Sequence, residues 1–185
     1  MRAVDRSEIL DYVTYTEQRE GLRAAALAAK RPRRLHVGRY LTFLFENRDT
    51  VRYQIQEMMR VEHMVRESDI QHELKTYNEL LGGAGELGCT LLIEIDDVNG
   101  RAEKLTAWQG LNGHLYLERA DGTRVRPTWD ERQVGEERLS AVQYLKFPVG
   151  PEAPVAIGCD FPDEEVRGRT ALTAEQRDAL GADLA

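Results

Sequence analysis

LHVGRYLTFLF (residues 35–45) runs straight into ENRDTVRYQIQEMMRVEH (residues 46–63), and the apolar period changes between them. Leu35, Val37, Leu41, Phe43 and Phe45 share one face of an extended segment, with Arg39 the exception, so residues 35–45 read as a strand. Gly38 marks a bulge in it. Glu46-Asn47-Arg48-Asp49 supplies helix N-cap candidates, and Val51, Ile55, Met58 and Val65 then follow helical spacing to about Arg66. A strand that turns directly into an amphipathic helix, with no βαβ alternation after it, sets the class as α+β.

The flanks extend this pattern. Asp5-Arg6-Ser7-Glu8 and Thr14-Tyr15-Thr16-Glu17 both have capping-box spacing, and helix is expected over about 6–30. Leu22, Ala25, Ala26 and Ala29 give it a small-residue face. Ser68-Asp69-Ile70-Gln71 opens a helix with Ile70, Leu74, Tyr77 and Leu81 on one side, closed by Gly82-Gly83. Beyond it the chain reads mainly as β: strands over 89–95, 139–149 and 154–160, and a hairpin over 114–127 with a two-residue turn at Asp121-Gly122. Residues 99–108 are taken as a short helix, 126–137 as an exposed loop carrying Trp129, and Thr173 as the cap of a last helix. The expectation is a mainly antiparallel sheet with N-terminal helices and a mid-chain helical pair packed on it, as one domain over residues 1–185.

Composition narrows the function classes. With 185 residues, 42% hydrophobic and 31% charged, the chain is long enough for a core and too charged for a membrane protein. The first 30 residues are charged throughout, which speaks against a signal peptide and makes the cytoplasm the expected compartment. Two cysteines, Cys89 and Cys159, do not make a disulfide scaffold or a four-cysteine zinc site. Both are expected to be reduced.

Net charge is −7, yet residues 1–40 carry nine Lys/Arg against five Asp/Glu. That excess centres on Lys30-Arg31-Pro32-Arg33-Arg34. A helix C-terminus favours cations there, and no aromatic residues interleave with them, which argues against nucleic acid.

The densest set of functional side chains lies at the start of the 50–66 helix. Glu46, Asn47, Arg48, Arg52, Tyr53, Gln56, Glu57 and Arg60 are the candidate residues for binding a ligand or partner. Arginines at i, i+4 repel unless solvated, paired with carboxylates or facing an anion. Arg48, flanked by Glu46, Asn47 and Asp49, is expected to hold the strand–helix junction in a partly buried network within reach of Tyr53 and Glu57. Its replacement by Ala is then expected to cost about 3–5 kcal/mol.

The four histidines, His36, His63, His72 and His114, form no HxH, HxxxH or HExxH pattern, and neither Glu57 nor Glu62 is followed three residues later by His, as the ferritin-like di-iron pattern requires. A metal centre would have to be assembled from distant residues such as His63, His114 and Cys159, so no metal and no cofactor is assigned. Asp160 disfavours a thiolate at Cys159, Gly82-Gly83-Ala84-Gly85 precedes a strand instead of following one, and Gly-x-Ser-x-Gly is absent.

The run from His36 to Glu62 also resembles the core motif of an uncharacterised bacterial family, a domain of unknown function. The resemblance continues through Tyr77–Leu80, Thr90–Glu94, Ser140–Phe147 and Leu172–Leu180, and so spans nearly the whole chain. It implies a gene neighbourhood holding a rubrerythrin-like di-iron protein and an iron–sulfur oxidoreductase subunit. Those would be the partners, and the cofactors would belong to them. Two readings follow: a cofactor-free accessory protein of a redox or oxidative-stress system, or a small enzyme or ligand binder using the Arg/Tyr/Glu set on an anionic substrate.

Overall fold

Residues 35–45 form a hairpin, not one strand. In the computed structural model, which describes residues 1–131, 135 and 137–184, strand β1 (Arg34–Val37) turns at 38–40 and returns as β2 (Leu41–Phe45). Gly38 is therefore a turn residue, with φ of 59°, and a Cβ there would meet the carbonyl oxygen of Glu165 at 3.2 Å. The pairing sets Leu35 opposite Phe43 and Val37 opposite Leu41. Odd residues thus face odd residues, so the period-two pattern passes through the turn unbroken and conceals it.

Two four-stranded antiparallel sheets result, with orders β1-β2-β3-β6 and β5-β4-β7-β8. The other strands are β3 (Leu87–Ile93), β4 (Leu115–Glu118), β5 (Arg124–Val125), β6 (Val142–Phe147), β7 (Ala156–Cys159) and β8 (Gly168–Ala171). The α+β class with antiparallel pairing stands, but the β-structure is divided between two sheets. Inner-face residues of both, among them Phe43, Phe45, Leu91, Leu145, Phe147, Leu117 and Ile157, form one core cluster. β1 and β8 adjoin, and the Thr170 hydroxyl donates to the His36 carbonyl at 2.7 Å.

The helices are α1 (Tyr12–Lys30), α2 (Arg48–Val61), α3 (Glu67–Asn78), α4 (Val98–Ala107) and α5 (Ala174–Leu184). Leu105 of α4 and Leu180 and Leu184 of α5 join the main core, and α2 and α3 keep a second one. Val51, Ile55 and Met59 of α2 pack with Ile70 and Leu74 of α3 and with Val4 and Ile9. Met59 takes the place expected for Met58. Because α2 ends at Val61 and His63 turns the chain with φ of 51°, Val65 lies outside the helix and is exposed.

Caps decide the helix starts. Asp5 and Glu8 do form a capping box, but on a short 3-10 helix (Arg6–Glu8) separated from α1. Asp11, not Thr14, caps α1, accepting from the backbone N–H groups of Val13 and Thr14 at 3.0 Å each. The Ser68 box is not used either: α3 starts at Glu67, Gln71 donates to the Glu67 carboxylate, and the helix ends well before Gly82.

The 114–127 hairpin is present with a longer turn than expected. Arg119 N–H donates to Thr123 and Gly122 N–H to Arg119, each at 2.9 Å, which makes a three-residue loop with Gly122 at φ of 83°. The expected loop over 126–137 falls partly on residues 132–134 and 136, which lie outside the described residues. Within it, Thr128 pairs with Lys146 of β6. β8, a four-residue edge strand with the alternation of a half-covered surface, carried no apolar signal.

Cys89 and Cys159 are free and buried. Burial pushes the Cys159 thiol up to about 11, and Cys89 higher than its ordinary value for the same reason. Thiol titration of the denatured protein without reductant is expected to count both; a count of zero would reveal a disulfide.

Candidate functional site

Tyr15, Arg19 and Arg23 recur at every fourth residue of α1, so they share one side of it. Tyr53, Glu57 and Arg60 make a matching row on α2. Where the two helices pack, Arg19 grips Glu57 through two N–H···O bonds of 2.8 Å, and the Tyr15 hydroxyl donates to the same carboxylate at 2.6 Å. Arg60 approaches from its own helix at 3.5 Å, and its buried Nε has no hydrogen-bond partner among the described residues. Arg23 donates to the Tyr53 hydroxyl at 3.1 Å, and Lys30 lies 5.4 Å above the Tyr53 ring. Gln56, buried, exchanges two hydrogen bonds with the backbone of Leu10, at 2.7 and 3.2 Å.

This clasp fixes protonation states. The Arg19 guanidinium, helped by Tyr15 and Arg60, holds the Glu57 carboxyl down to about 2. Burial, and the bond to Glu57, push the Tyr15 phenol far above its ordinary value. At neutral pH one group stays ionised and the other protonated.

The remaining candidates fall at a separate junction. Asn47 caps α2 by accepting from Thr50 N–H at 2.9 Å, and the Thr50 hydroxyl accepts from Asn47 N–H at 3.0 Å. Glu46 accepts from the hydroxyls of Thr50 and Thr90, at 2.6 and 3.0 Å. Arg48 turns away from Glu46 and Asp49. It pairs with Glu8 and donates to the Ala3 carbonyl at 3.3 Å, so it staples the N-terminal segment to α2. Tyr53 and Glu57 belong to the α1–α2 clasp and not to this junction. Since Arg48 keeps 31% of its side chain exposed, Arg48→Ala is expected to cost only about 1–2 kcal/mol in urea melts. A loss of 3 kcal/mol or more, by the same scale, would mean that it anchors the whole junction.

A cleft of about 370 Å³ opens beside the clasp, where α1 meets the start of α2. Arg52, Tyr53 and Gln56 line one wall, Tyr15 and the small residues Ala25 and Ala26 another, and Glu8 and Asp49 the rim. Arg52 is shared with Asp49 at 3.0 Å. Each arginine of the 46–62 block therefore has a carboxylate: Arg48 has Glu8, Arg52 has Asp49 and Arg60 has Glu57. Glu8, Tyr15, Arg19 and Arg23 are not among the site candidates read from the sequence, where Glu8 and Tyr15 figure only in capping-box stretches. The four-residue recurrence on α1 was the available signal, but it names a face without saying what packs there.

Among the described residues no three His, Cys, Asp or Glu side chains are grouped to hold a metal ion. His63 stacks against Tyr12 at 5.6 Å and His114 pairs with Asp160 at 3.1 Å, so the distant trio considered from the sequence is not assembled. Among these residues no helix is long and apolar enough to cross a membrane.

Two antiparallel sheets on a shared core, with a helical layer tied by an Arg–Glu–Tyr clasp, define an α+β protein. The chain belongs to the family described as Protein of unknown function (DUF3501), whose model matches residues 3–184. It is similar, with 28% identity and a TM-score of 0.89 over 100% of both chains, to a novel protein of unknown function from Burkholderia pseudomallei K96243, known from a crystal structure at 1.90 Å. No curated protein matches it.

Proposed function

We propose that this chain is a cofactor-free accessory protein of a bacterial redox or oxidative-stress system, acting in the cytoplasm by binding and not by chemistry of its own. One observation carries the reading: among the described residues the strongly perturbed groups are displaced away from neutrality, in the unreactive direction. Glu57 is held at about 2, Tyr15 is raised, and the thiols of Cys89 and Cys159 are raised. A general base or nucleophile working near neutral pH needs the opposite shift. The redox setting rests on the resemblance drawn from the sequence, whose implied partners are a rubrerythrin-like di-iron protein and an iron–sulfur oxidoreductase subunit. The test is size-exclusion chromatography of the chain mixed with each purified partner. Co-elution with either supports the reading, and separate elution from both at micromolar concentration defeats it.

The α1–α2 cleft favours a second reading, a ligand binder or small enzyme using Arg52, Tyr53 and Gln56 on an anionic compound. The cleft lies at the start of α2, and Arg52 is one displaced carboxylate away from free. A carboxylate-bearing compound that raises the melting temperature of wild type, but not of Arg52→Ala, would decide for it.

A further inference from the structure

Strand β6 places Tyr144 and Lys146 on the side of the sheet opposite its core residues Leu145 and Phe147, by the alternation of a strand. The last turns of α3 bring Thr76 and Tyr77 over them. On the far side, Thr128 and Lys146 exchange backbone hydrogen bonds of 2.7 and 2.9 Å, which sets the next residue, Trp129, beside the lysine. These elements enclose a cleft of about 580 Å³, larger than the α1–α2 cleft and distant from it in sequence. That size suits a drug-sized ligand.

Three aromatic side chains line this cleft. Tyr77 and Trp129 are half-buried, and Tyr144 is 43% exposed. The other tryptophan, Trp108, is wholly inside the main core, so Trp129 is the one available to a visitor. The charges are unequal in environment. Glu79 stands exposed at the rim, and Asp130 has a partner of its own. Lys146 is half-buried, and no carboxylate of the described residues pairs with its ammonium. A cation that lines one cleft with three aromatic side chains, and that no carboxylate of the described residues pairs with, is suited to a flat ligand with its own negative charge, since stacking and ion pairing then act on one molecule.

We propose that this cleft between α3 and β6 is a binding site for a planar aromatic carboxylic acid, its ring stacked against Trp129 and Tyr144 and its carboxylate on Lys146. The site is separate from the function proposed above and does not depend on it. Calorimetric titration of the full chain with naphthoate tests it, with naphthamide as the uncharged flat control and cyclohexanecarboxylate as the charged control that is not flat. Naphthoate is expected to bind saturably, and each control about tenfold or more weaker. Lys146→Gln should reduce naphthoate to the level of naphthamide and leave naphthamide unchanged. Naphthoate should also quench tryptophan fluorescence in wild type but not in Trp129→Phe. Variants are compared only where their urea melts match wild type; should Lys146→Gln unfold, Lys146→Met takes its place. Equal binding of naphthoate and naphthamide, no saturable binding, or affinity unchanged by both substitutions would overturn the assignment.

Discussion

Asp183→Ala is expected to cost about 3–5 kcal/mol in urea melts, one of the two largest single-residue losses argued from this structure. Arg33, within the basic cluster at the end of α1, is buried, and Asp183 near the end of α5 takes its guanidinium in two bonds of 2.6 and 2.9 Å. The side chains are only 11% and 7% exposed. Arg33 also donates to the carbonyls of Ala29 and Ala179, at 2.8 and 3.3 Å. Removing the carboxylate strands a buried cation, whereas removing both partners does not. The double variant Arg33→Met with Asp183→Leu should therefore recover most of the loss. A cost below about 1 kcal/mol for Asp183→Ala would place the pair among surface ion pairs.

Glu57→Ala is expected to cost about 2–3 kcal/mol, less than a fully buried pair because water still reaches Arg19. It leaves the Tyr15 hydroxyl and the two guanidinium groups facing one another without an anion. Glu57→Gln keeps an acceptor for Tyr15 but not the charge, so it should recover little. The pH dependence has a definite sign. Glu57 is lowered from 4.5 to about 2 by folding, so its contribution is complete above 4.5 and is lost as pH falls towards 2. Stability measured down that range should decline more steeply in wild type than in Glu57→Gln. Parallel curves would show that Glu57 is not held by the clasp.

The basic cluster illustrates the limit of local reading. From the sequence, Lys30 to Arg34 is a helix end with a surplus of cations, and so it is. That one of them is buried against a carboxylate 150 positions away follows only from where α5 returns. Arg48 repeats the lesson. Its place at the strand–helix junction was legible, because Asn47 and Thr50 have the chemistry of a cap. Its partner was not, because Glu8 arrives from an N-terminal turn with no sequence relation to α2.

The eight candidate residues of the 46–62 block divide accordingly. Glu46, Asn47 and Arg48 serve the junction, while Tyr53 and Glu57 face α1, Gln56 holds the backbone of Leu10 just before α1, and Arg52 and Arg60 pair within α2. Their being neighbours in sequence implied one network, but a helix sends successive residues about 100° apart, so adjacent positions serve different walls.

The sequence by itself determined the α+β class, the presence of helices near 6–30, 50–66, 69–81 and 99–108, the inner faces of the strands and the N-cap candidates at Glu46–Asp49, of which Asn47 is the one used. All of these rest on periodicity and capping within a few residues, which act before any long-range contact forms. Only the tertiary structure decided that residues 35–45 fold back on themselves, that the strands divide into two sheets, and which carboxylate meets which arginine. Alternation survives a turn that pairs odd with odd residues, and a charge carries no record in the sequence of the element that will pack against it.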